Sequence, residues 1–72
     1  RTGEALRAWE RALEIEPGDY DVLYNFALVA AEAGERERAL GAFRRFVAEA
    51  PPARYGSDLD KARARLRALE SR

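Results

Sequence analysis

The chain has 72 residues, thirteen basic and thirteen acidic side chains, no formal net charge and 47% apolar residues, which leaves room for one small domain. His, Cys and Met are absent, Lys61 is the one amine side chain, and the hydroxyls are Thr2, Ser57, Ser71 and three tyrosines. Imidazole acid–base work, thiol chemistry, a Ser-His or Cys-His pair and metal sites built on imidazole or soft ligands are thereby excluded.

No disulfide can compensate for the small size, and no apolar run approaches the ~20 residues needed to span a bilayer. No membrane partner is expected. Arg outnumbers Lys twelve to one and Ala is the commonest residue, a bias expected of a GC-rich, bacterial gene. The sequence opens on Arg1 without an initiator Met, so it is expected to be a piece of a longer protein.

Gly and Pro interrupt the chain at Pro17-Gly18, Gly34, Pro51-Pro52 and Gly56. The stretches between them are rich in Ala, Leu, Glu and Arg and favour helix. The first predicted helix covers residues 3–16 with Thr2 as its N-cap. It gathers Ile15, Ala8, Ala12, Ala5, Trp9, Leu13 and Leu6 on an apolar arc of about 180°, too wide for a helix with one neighbour.

The second, 20–33, begins at Asp19 as N-cap and ends at Gly34, which suits a left-handed terminating residue. Its core arc holds Val22, Leu23, Phe26, Val29, Ala30 and Ala33, while Asp21, Tyr24, Asn25, Leu28, Ala31 and Glu32 share the other side. The third, 36–49, repeats the wide arc with Ala42, Phe46, Ala39, Phe43, Val47 and Leu40, as a helix wedged between two others would.

The fourth, 58–70, is expected after a long link, with Ser57 and Asp60 as a capping box using the shorter acid. Six positions separate Pro17 from Leu23 and eight separate Pro51 from Leu59. The second link is therefore predicted to be two residues longer, with Leu59, Ala62 and Leu66 taking the places of Leu23, Phe26 and Ala30. Its apolar stripe of Leu59, Ala62, Leu66 and Leu69 is only about 80° wide, so the stack ends there.

Arg54, Lys61, Arg63, Arg65, Arg67 and Arg72 make this end basic, but they spread around the helix and are diluted by Asp58, Asp60 and Glu70. That pattern is a solvated cap face, and no nucleic-acid partner is expected. The carboxylates lie on exposed faces among arginines, where links such as Glu4 with Arg7 account for them better than a catalytic pair does. No enzymatic activity, metal or cofactor is expected.

Residues 4–17, EALRAWERALEIEP, match residues 38–51, RALGAFRRFVAEAP, at an offset of 34. Ala5 meets Ala39, Leu6 meets Leu40, Ala8 meets Ala42, Trp9 meets Phe43, Arg11 meets Arg45 and Pro17 meets Pro51. A helix pair recurring every 34 residues with this spacing resembles the tetratricopeptide repeat. Leu23, Phe26, Ala27 and Ala30 stand where that family's first helix carries a large apolar residue, Leu-Gly and an aromatic. Ala39, Phe43, Phe46 and Pro51 stand where its second helix carries Ala, an aromatic, a small residue and Pro. Ala30 and Phe46 depart from the pattern in opposite directions, as volume moved between facing helices.

The resemblance implies an all-α antiparallel helix-turn-helix array. Residues 1–17 would be the second helix of one repeat, 18–51 a whole repeat and 52–72 a capping helix. It also implies a non-catalytic protein–protein interaction module with a concave groove on the second helix. There Tyr24 and Leu28 would form an apolar floor, Asn25 would offer an amide to a peptide backbone, and Asp21 and Glu32 would form an acidic rim. The partner expected is a protein or peptide, basic, with an apolar anchor. The basic residues of a carboxylate clamp are missing beside Asn25. A plainer reading has Tyr24 and Leu28 shielding the fourth helix or the flank of the first. The alternative function is self-association as a homodimer through an exposed flank of the first helix, bearing Ala5, Leu6 and Leu13, or Ala8 and Ile15 if the hand is opposite.

Overall fold

A computed structural model of the chain describes residues 2–71; Arg72, counted above among the basic residues, lies outside them. The described residues form four helices, α1 (Thr2–Ile15), α2 (Tyr20–Glu32), α3 (Arg36–Glu49) and α4 (Pro52–Glu70), and contain no strand. The expected all-α helix-turn-helix array is present.

Local chemistry accounts for the boundaries. Thr2 is the first helical residue of α1, not the cap before it. Asp19 does cap α2, its carboxylate accepting from the Val22 amide at 3.2 Å, which satisfies one of the unpaired donors of the first turn. At the other end Gly34 has φ 80°. The Gly34 amide donates to the Ala31 carbonyl at 3.2 Å and the Glu35 amide to the Ala30 carbonyl at 2.9 Å, a Schellman closure that needs the left-handed residue.

The join between α3 and α4 differs from expectation. Helix α4 starts at Pro52, so only Ala50 and Pro51 separate the two helices, both extended. Pro51 forces Ala50 out of the helical region, and Pro52 then occupies the first helical turn, where a missing N–H is harmless. The surplus residues form an added helical turn instead of a long link, with the irregularity absorbed at Tyr55 (φ −115°, ψ 23°). Ser57 is consequently an exposed residue inside the helix and caps nothing, while Asp60 accepts from Arg63 at 3.4 Å. The expected register of α4 nevertheless holds at its centre: Leu59 and Ala62 are buried and Ser57 and Asp60 exposed, with Leu66 half-buried.

Each helix packs on the next, α1 on α2, α2 on α3 and α3 on α4. The Cα envelope measures 31 × 30 × 14 Å. Its thin direction matches two layers of helices with axes about 8–10 Å apart, α1 and α3 in one and α2 and α4 in the other. Phe43, Phe46, Leu6, Leu23 and Leu59 are the largest side chains sealed in the core. The C-terminal end of α4 is tied to α3 by Arg36, whose guanidinium donates to the Leu69 carbonyl at 2.9 Å, and by an ion pair of Arg44 with Glu70 at 3.1 Å.

The expected self-association flank requires correction. Leu6 and Leu13 are buried against the following helices and Ala5 is half-buried, whereas Ala8 is exposed and Ile15 is 82% exposed. The hand is the opposite one: α2 covers the Leu6 and Leu13 side of the arc. Trp9, on the same apolar arc, is half-buried against the edge of the core.

Candidate functional site

Helix α2 places the five expected binding residues along one strip, because positions 21, 25, 28 and 32 recur at helical spacing. Asp21, Asn25 and Glu32 are exposed; Tyr24 and Leu28 are half-buried and pack on the core. The strip therefore offers an exposed amide between two carboxylates, above apolar side chains that also serve the interior.

Helix α4 forms the wall beside this strip. Near its start Arg54 approaches the Asp21 carboxylate to 3.6 Å and lies over the Tyr55 ring at 5.4 Å from its centroid. Near its end Arg65, Ala68 and Leu69 join Ala31 and Glu32 around an open depression of about 160 Å³. The rim expected to be acidic from Asp21 and Glu32 alone is thus faced by Arg54 and Arg65, while Asp58 adds a third carboxylate beside Tyr24.

Tyr24 occupies the corner where three helices meet. Its ring lies 5.1 Å from that of Phe46 on α3, inclined by 41°. Burial pushes its phenol above the usual 10.0, with the Asp58 carboxylate adding to the rise and Arg65 opposing it. The ring thus shields α3, not the fourth helix or the flank of the first as the plainer reading has it, and only part of it is left to face a ligand. Tyr55 completes the corner, and burial raises its phenol as well, opposed by Arg54 and reinforced by Asp21 and Asp19.

Sequence reasoning missed Tyr55, Arg54, Arg65 and Ala68 as members of this region. The available signal was Pro51-Pro52: a proline pair opens a helix as readily as it ends one, and a helix from Pro52 brings Tyr55 inward. Among the described residues no group of acidic side chains is arranged to hold a metal ion, and no helix is long and apolar enough to cross a membrane.

Comparison of the chain with models of known families, with curated proteins and with solved structures finds no match.

Proposed function

We propose that the chain is a non-catalytic protein–protein interaction module of the tetratricopeptide type, binding an extended peptide along α2 in the groove walled by α4. The observation that supports this reading most directly is Asn25, an exposed side-chain amide at the middle of a strip floored by Leu28 and the free edge of Tyr24. An amide supplies both a donor and acceptors and suits a peptide backbone. The apolar floor takes one anchor side chain, and the opposed charges of Asp21 and Arg54, Glu32 and Arg65 set the peptide's direction more than its net charge. Stacked helix pairs serve this purpose because their exposed residues vary without disturbing the core.

Selection from a displayed peptide library tests the reading, followed by titration of selected peptides into the Asn25→Ala and Tyr24→Ala variants. Loss of the anchor contact at Tyr24 should weaken binding by about 1–3 kcal/mol, mainly through faster dissociation. Selected peptides that bind both variants and Leu28→Ala unchanged would place the partner elsewhere.

A second reading, homodimerisation through α1, is favoured by the exposure of Ile15 beside Ala8. On α3 the position matching Ala8, Ala42, is buried, whereas that matching Ile15, Glu49, is exposed. Sedimentation of the chain with and without Ile15→Glu tests it. A concentration-dependent dimer abolished by the charge is the expected result under this reading, and a monomer at all concentrations removes it.

A further inference from the structure

On the layer opposite the α2 strip, an open groove of about 530 Å³ lies between α1 and α3, within the range of ligand-sized sites. Its floor is apolar and made by the outer edges of core side chains from three helices, Leu13 of α1, Phe26 of α2 and Ala42 of α3, with Leu23 sealed beneath them. Glu10 and Glu14 form one lip, Glu37, Arg38 and Arg45 the other. We propose that this groove docks a partner segment that inserts one large apolar side chain and flanks it with lysine or arginine.

The charge preference follows from which rim groups the chain has already satisfied. Arg38 pairs with Glu10 across the groove at 3.8 Å. Arg45 pairs with Glu49 at 3.5 Å and also donates to the Pro17 carbonyl. Both rim arginines are therefore engaged within the molecule. Glu14 has no ion pair among the described residues, and Glu37 meets only the Arg36 guanidinium at 3.5 Å, which is also bound to the Leu69 carbonyl. The surplus on the two lips is negative and placed on both sides of the apolar floor, so it complements cations on both sides of an apolar anchor.

Gly41 is an independent observation. It lies in the middle of α3 on the groove wall, and a Cβ built there would meet nothing within 4 Å. Glycine weakens a helix interior relative to alanine, and here neither a positive φ nor a crowded neighbour within the chain requires it. A bare backbone on the wall of an apolar groove lets a partner's chain approach closely.

Titration of the isotope-labelled chain with three synthetic peptides, read by amide shifts, tests the proposal without resting on the α2 site. One peptide carries a leucine or phenylalanine flanked by lysines, the second the same anchor flanked by glutamates, and the third the lysines alone. Only the first should saturate shifts at Leu13, Gly41 and Ala42, more weakly as salt rises. Glu14→Gln with Glu37→Gln should weaken it several-fold and flatten the salt dependence. Gly41→Leu should leave the chain at least as resistant to urea while weakening the peptide fivefold or more, a combination that a purely structural glycine does not give. Four results would overturn the proposal: equal binding of the glutamate-flanked peptide, shifts confined to Asp21, Tyr24, Asn25, Leu28 and Glu32, no saturable shift with any peptide, or concentration-dependent shifts at Gly41 without peptide. The last would assign the groove to a second copy of the chain.

Discussion

Phe46 of α3 and Tyr55 in the first turns of α4 meet edge to face, with ring centroids 5.6 Å apart and planes inclined by 78°. Tyr20 of α2 stands edge-on to both, at 6.5 Å from Phe46 and 6.1 Å from Tyr55, and Tyr24 closes the group. One phenylalanine, 34 positions after Ala12, thus serves as the hub on which three tyrosines from two other helices converge. Tyr55→Ala should cost about 3–5 kcal/mol, as large-to-small core changes do, enough to release the start of α4. Tyr55→Phe, which keeps the ring, should lose far less. Urea denaturation with near-ultraviolet circular dichroism of both variants measures the difference.

The raised phenols of Tyr24 and Tyr55 give the fold an alkaline limit. Unfolded tyrosine loses its proton at the ordinary value of 10.0, while burial holds both protons on in the folded chain. Above that pH the unfolded state binds fewer protons than the folded one, so stability is intact below it and falls as pH rises toward the folded values. Replacing both residues by phenylalanine should remove this part of the decline. Phenolate absorbance recorded alongside helix content, from neutral to alkaline pH, tests the sign.

Two caps set the position of α2, and each should be felt singly. Asp19→Ala leaves the Val22 amide without its side-chain acceptor and should cost about 1 kcal/mol. Gly34→Ala forces a Cβ into the left-handed region and should cost about 1–2 kcal/mol, although open space surrounds the position. Thermal melts of the two variants and of the double mutant should show nearly additive losses, because the sites lie at opposite ends of the helix.

The two flanks of α1 should respond oppositely to charge. Leu6 is 2% exposed and Ile15 82%. Leu6→Glu places an unpaired carboxylate in the core and should abolish cooperative folding, whereas Ile15→Glu should change stability by no more than about 0.5 kcal/mol. Chemical denaturation of the pair settles which flank faces the interior.

Much of this molecule is determined locally and is legible in the sequence. Helix composition, the Asp19 cap and the Gly34 terminator each act within a few residues, so the first three helices lie within two residues of where periodicity and punctuation put them. The burial of Leu59 and Ala62 is legible for the same reason, since an apolar stripe on an otherwise charged helix has one face to bury. The strip of Asp21, Asn25, Leu28 and Glu32 follows from helical spacing alone.

What only the tertiary structure decided depends on contacts between distant residues. A wide apolar arc on α1 does not say which side its neighbour covers, because both flanks are equally apolar; the direction in which the chain turns through Glu16–Asp19 buries Leu6 and Leu13 and leaves Ile15 outside. Pro51-Pro52 can end one helix or begin another, and the outcome was decided by Tyr55 finding Tyr20 and Phe46 to pack against, which outweighs an irregular backbone at that residue. The pairing of Asp21 with Arg54, the placing of Arg65 beside Glu32 and the groove between α1 and α3 have the same origin. They join residues more than 20 positions apart, and such distances are set by how helices stack, not by the order of side chains along any one of them.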